Sequence, residues 1–189
     1  MLSLAYENVE QGFGQLLKYD KKIGEEILKR EETVDTLNRE IADYITNALS
    51  MELNNDTSAA LSIYYHQITD IERISDYAVK MENYSKDRLQ ARLNEEERDT
   101  ISSMHSMCME MYDARHDIQK SETLRRQSED VCVNLRKRQM QRMKEKSISS
   151  EISMMFSQLL TDFERINGHA LNIAEDYEII SHCVQLQID

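Results

Sequence analysis

Apolar residues recur along this chain at helical spacing. Ile23, Ile27, Val34, Leu37, Ile41 and Ile45 fall three, four or seven positions apart, the stripe of an amphipathic α-helix. Tyr64, Ile71, Ile74, Ala78 and Met81 repeat the period, and so do Phe156, Leu160, Phe163, Ile166, Ala170 and Ile173. Helix starts leave backbone N–H groups that short polar side chains satisfy, so the starts show in the sequence as caps. Asp20 caps one helix and the stretch Asn54-Asn55-Asp56-Thr57 opens another. Asn94 with Glu97 three residues on forms a capping box, and Ser147-Ile148-Ser149-Ser150 precedes the last helix. A weaker break lies between Arg115 and Ser121. The pattern predicts six helices, at about 3–18, 20–50, 57–92, 95–115, 121–146 and 150–186. Their short connections imply antiparallel neighbours.

Composition agrees with an all-α chain. There is no proline and there are only four glycines in 189 residues, so almost nothing interrupts a helix. Leu, Met, Glu, Lys, Arg and Gln, which lose little rotamer freedom in a helix, are abundant. The net charge of −12 repels nucleic acid except where cations segregate. From Arg125 to Lys146 eight cations face Glu129, Asp130 and Glu145, a local excess of +5. That segment reads either as a solvated helix face or as a docking stripe for an acidic partner or anionic lipid. Cys108, Cys132 and Cys183 are odd in number and lack CxxC spacing, which fits reduced thiols in the cytosol. No run reaches the ~20 apolar residues of a membrane span, and the N-terminus lacks the regions of a signal peptide.

The chain also repeats itself. Asp70-Ile71-Glu72-Arg73-Ile74-Ser75-Asp76-Tyr77-Ala78 matches Asp162-Phe163-Glu164-Arg165-Ile166-Asn167-Gly168-His169-Ala170 at an offset of 92 residues, with five of nine positions identical. A duplication is implied, dividing the chain into three-helix units at 1–92 and 93–189.

The repeated core, D-[LIF]-E-R-I-x-D-x-A, resembles the signature of PhoU proteins, cytoplasmic regulators of bacterial phosphate uptake. It is complete in the first unit and lacks its second Asp in the other. Glu31-Glu32-Thr33-Val34-Asp35-Thr36-Leu37 resembles that family's E-x-x-x-D segment. The resemblance implies two tandem three-helix bundles and a regulatory, non-enzymatic role beside a membrane transporter, in the same or a neighbouring polypeptide. It further implies a cytoplasmic location at the inner face of the cell membrane, and a second copy of the chain is a further partner to test. Of the family's two settings, the C-terminal domain of a Na/Pi cotransporter is expected here over the stand-alone regulator. The opening helix has only about 16 residues before Asp20, and Asp56-Thr57-Ser58 stands where stand-alone regulators tend to carry D-L-R.

The carboxylates carry the candidate chemistry. Glu72 and Asp76 lie one turn apart on a single helix face, as do Glu31 and Asp35, and like charges so placed call for a compensating cation. Packing the two helices together would gather four carboxylates suited to a hard or borderline metal, and the resemblance implies iron or zinc. Arg73 could instead neutralise Glu72 or Asp76 as an ordinary ion pair. In the second unit Asp162 and Glu164 are the candidate ligands, but Gly168 replaces the acid equivalent to Asp76. The preceding helix offers Glu129 with Val133 or Asp130 with Asn134, and His169 is a candidate nitrogen ligand beside Asp162 and Glu164. Met104, Met107, Met109 and Met111 with Cys108 read as core packing rather than a soft-metal site. His66, His105, His116 and His182 stand in no HxxxH or HExxH context, and no P-loop or nucleophile elbow occurs. A metal-dependent enzyme or metal store in a helical bundle is the alternative from another class, although such sites usually carry Glu-x-x-His and none is present. A purely structural helical adaptor is the third.

Overall fold

A computed structural model describes residues 1–86 and 93–185. Six α-helices run in chain order: α1 (Leu2–Leu17), α2 (Lys21–Leu49), α3 (Asn55–Lys86), α4 (Glu95–Asp113), α5 (Ile118–Lys144) and α6 (Ser150–Gln185). No strand occurs among the described residues, and no helix there is long and apolar enough to cross a membrane. The expected ends of α3 at 92 and of α6 at 186 fall outside the described residues.

The predicted caps form. Asp20 accepts from the Lys22 N–H at 2.8 Å, Asn54 from Thr57 at 2.7 Å and Ser149 from Ile152 at 3.3 Å. Asn94 and Glu97 close their capping box at 2.8 and 2.9 Å. The start shifted furthest is that of α5, which opens at Ile118 rather than near Ser121 because the Asp117 side chain caps it through Lys120 N–H at 3.0 Å. Ser121 lies inside the helix, where its hydroxyl donates to the Ala114 carbonyl at 2.9 Å and ties down the end of α4.

Side-chain contacts fix the directions. Gly24 faces Glu82 across the antiparallel α2–α3 pair. Asn8 meets Ser75 and Gly12 meets Ala78, so α1 runs parallel to α3. Asp70 meets Asn172 while Tyr84 meets Asp162, so α3 and α6 are antiparallel, and Arg136 against Glu164 with Arg125 against Gly168 gives α5 the same sense relative to α6. A single hydrophobic cluster joins α1, α3, α4, α5 and α6, with Phe13, Phe156, Phe163, Leu159, Met81 and Met104 fully enclosed. Each such side chain stabilises the fold by roughly 1.5–3 kcal/mol relative to exposure. Met104, Cys108 and Met111 belong to this core, as their spacing suggested, with Met107 and Met109 packed against it. Burial pushes the Cys108 and Cys132 thiols up, which keeps both protonated and unreactive. The side chains of His182 and Cys183 lie outside the described residues.

One buried polar node locks the first three helices. Asn8 is 0% exposed; it donates to the Ile27 carbonyl at 3.3 Å and to Ser75 Oγ at 2.9 Å, and accepts from Arg30 Nη1 at 2.6 Å. Leaving such an amide unpaired in the core would cost roughly 1–3 kcal/mol, so only one packing of α1 on α2 and α3 satisfies it. Two glycines permit the close approaches that this packing demands. An alanine Cβ at Gly12 would lie 3.3 Å from the Ala78 backbone, and one at Gly24 would lie 2.1 Å from the buried Glu82 carboxylate.

Gly14 faces open space within α1. Thermal unfolding should therefore separate the two glycines of this helix. Gly14→Ala should raise stability by roughly 0.5–1 kcal/mol through the lost flexibility of glycine, whereas Gly12→Val should lower it by roughly 1–3 kcal/mol through overpacking against Ala78.

Candidate metal centre

On the α2–α3 hairpin, Glu31, Asp35 and Asp76 each offer a carboxylate oxygen, and these oxygens lie within 4.8 Å of one another. Helical register explains the meeting: Glu31 and Asp35 are one turn apart on α2, and the antiparallel pairing that sets Gly24 against Glu82 slides them opposite Asp76. All three are half-buried, so water only partly screens their repulsion. Burial first, then the neighbouring acids, pushes the Glu31, Glu72 and Asp76 carboxyls above their usual range. Glu72 thus adjoins the cluster without being one of the three converging groups. Arg73 is exposed and Lys80 half-exposed, and both offset the charge only at a distance. Arg30, next to Glu31 in the chain, is turned toward α1, where it holds Asn8, Gln11 and Glu7. Converging oxygens without a fixed cation are the donor set of a hard or borderline metal, so Glu31, Asp35 and Asp76 fit such an ion, with Glu72 beside them.

The second unit is different. Asp162 and Glu164 are two residues apart and therefore leave α6 in different directions. Asp162, 5% exposed, accepts from the Tyr84 hydroxyl at 2.8 Å and lies 4.0 Å from Lys80 Nζ. Glu164 receives both Arg136 guanidinium nitrogens at 2.6 and 2.7 Å, which holds its carboxyl below the usual range. His169 does not join them: its Nδ1 is 2.8 Å from Asp70 Oδ1, and its ring stacks on Tyr77. On α5, Glu129 pairs with Arg125 at 2.9 Å, while Asp130, Val133 and Asn134 are exposed. Among the described residues the only group of three or more candidate ligands is therefore that of the first unit, and Asp162 and Glu164 already have other partners.

Residues 1–84 match the family model described as the PhoU domain. That match covers 84 of the 189 residues. The fold likeness extends over both halves. PhoU from Pseudomonas aeruginosa superposes with a TM-score of 0.79 at 19% identity, covering 94% of this chain and 90% of that one. The phosphate transport system regulatory protein PhoU from Streptococcus pneumoniae gives a TM-score of 0.75 at 18% identity, with 93% and 87% covered. No curated protein matches the chain.

Beyond the carboxylates of α2 and α3, the structure adds a polar seam between α3 and α6. Asp70 binds His169 and, at 2.9 Å, Asn172; Asp176 lies close enough to Asp70 to feel its charge, and His66 opposes the effect. The signal for it was present in the repeat, because the 92-residue offset sets Asp70 against Asp162, Lys80 against Asn172 and Tyr84 against Asp176. Where Tyr84 gives Asp162 a hydroxyl donor, Asp70 meets a second carboxyl. The basic segment of α5 is largely neutralised within the fold: Arg126, Arg138 and Arg142 pair with Glu122, Glu96 and Glu97, in addition to the Arg125 and Arg136 pairs.

Asp176 has a measurable consequence. Its carboxyl is pushed up to about 6, by burial first and then by Asp70. The folded state therefore holds this proton more tightly than the unfolded chain, whose aspartates titrate near about 3.9. The resulting penalty is complete above pH ~6 and absent below pH ~4. Asp176→Asn should raise the denaturation midpoint at pH 7.5, and in the same urea titration about half of that gain should be gone at pH 5 and most of it at pH ~4.

Proposed function

We propose that this chain is a PhoU-type regulator of phosphate transport that acts by helix-face contact with a transporter and holds a metal ion on Glu31, Asp35 and Asp76. The carrying observation is the PhoU domain over residues 1–84 combined with a PhoU fold across nearly the whole chain. Converging carboxylates accord with a regulator that carries a metal ion. Between the two settings expected from the sequence, the stand-alone regulator is the better supported. The similar proteins are PhoU chains matched over 90% and 87% of their own lengths, and one is described as a regulatory protein of a phosphate transport system. The Na/Pi cotransporter domain is the alternative, and membrane helices encoded in the same reading frame would restore it.

When bound, a metal would supply the positive charge that the three carboxylates lack, and Glu72 would stand as a neighbouring acceptor. The protein's own part is to hold the three oxygens together on a rigid hairpin pinned by Asn8 and Gly24.

Elemental analysis of protein prepared without chelator should find iron or zinc. Asp76→Asn should lower its affinity on the order of tenfold or more, while Glu164→Gln should leave it in place. Deleting the gene should change phosphate uptake by the host cell, and unchanged uptake would remove the regulatory reading even if metal were found.

A further inference from the structure

The second unit has replaced the cation site with a different opening. At Gly168, where the first unit carries Asp76, α5 and α6 leave a groove of about 490 Å³, bordered by Arg125, Arg165, Gly168 and His169. Arg125 reaches it from α5, and its Nε stands 4.0 Å from the place a Cβ on Gly168 would occupy. One arm of that guanidinium, Nη2, pairs with Glu129 at 2.9 Å. The other, Nη1, is buried and has no hydrogen-bond partner. A buried charged donor left unpaired is costly, so a small turn of this side chain that brings Nη1 out to the groove beside Nε would give it an acceptor there. The one carboxylate of the lining, Glu164, is engaged by Arg136 through both oxygens, and its charge also acts on Arg125. Arg165, exposed at the rim, adds a second cation. An otherwise acidic chain thus has a local cationic recess with an unused donor, in the part of the repeat where its other half gathers carboxylates.

We propose that this recess binds a phosphate group, held by the Arg125 guanidinium with Arg165 supplying further charge; guanidinium donors match the oxygens of such an anion. Gly168 is what keeps the recess open, since an aspartate there would place its own carboxylate beside Arg125. The choice of inorganic phosphate as ligand rests on the regulatory reading above, whereas the pairing of Arg125 with Gly168 does not.

Calorimetric titration of chelator-treated protein with inorganic phosphate at low ionic strength tests the proposal. One saturable site is expected. Arg125→Gln should weaken it roughly tenfold or more, the loss of one charged hydrogen bond. Gly168→Asp should abolish it, while Gly168→Ala, which has room for its methyl group, should stay within about twofold. Asp76→Asn should keep it within about twofold, which separates this recess from the carboxylate cluster. A phosphate monoester and sulfate, titrated in parallel, distinguish free phosphate from a larger phosphate-bearing ligand and from nonselective oxyanion binding. No binding of phosphate or monoester at about 10 mM, or equal losses for Gly168→Asp and Gly168→Ala, would overturn the proposal. Phosphate binding in a protein whose deletion leaves uptake unchanged would keep the recess and remove only the transport role.

Discussion

The crossing of α3 on α6 is the constraint on which the remaining geometry depends. Each helix sends an aspartate into the other: Asp70 to His169 and Asn172, Asp162 to Tyr84 and Lys80. Carboxylates buried without donors would be expensive, so the two helices can slide relative to each other only by breaking both sets of contacts. With that register fixed, the hydrophobic cluster closes around Ile74, Phe163 and Ile166. The same register turns Glu72 and Asp76 toward α2, and Glu164 and Gly168 toward α5. The two matching segments of sequence thereby take corresponding places on α3 and α6, and the chemistry of each position is left to whatever residue stands there.

That last step marks where reading the sequence succeeds and where it fails. Helices were legible because their caps are local: Asn94 and Glu97 find each other three residues apart regardless of the rest of the fold. The α5 start was misplaced because Asp117 and Ser121 are both competent caps, and only the packing of Ser121 on the Ala114 carbonyl decides between them. The carboxylates of the first unit were legible for the same local reason, since Glu31 with Asp35 and Glu72 with Asp76 share a face by helical period alone. Glu164 was not. Its partner, Arg136, lies 28 residues away, on another helix whose register no local rule supplies. The partnership of His169 with Asp70 spans 99 residues and was equally out of reach, although the repeat offset held a hint of it.

Divergence between the halves follows one physical theme, the management of like charge. In the first unit acids accumulate without a fixed counter-ion, raising the carboxyls of Glu31, Glu72 and Asp76. In the second unit three acids have acquired a partner: Arg136 for Glu164, Arg125 for Glu129, Tyr84 for Asp162. The arginines of α5 that seemed a surface stripe in the sequence are mostly the means of that pairing, which also binds α5 to α4 through Glu96 and Glu97. Surface pairs of this kind add little stability individually, but they remove a repulsion that the first unit retains.

His169 occupies a position with a thermodynamic corollary. Its ring borders the recess at Gly168, and its charge reaches Glu72 on the neighbouring helix. An ion that alters the field on one side of this imidazole is therefore sensed on the other. Linkage would make any such influence reciprocal, each charge acting on the other by an equal factor with no helix having to move.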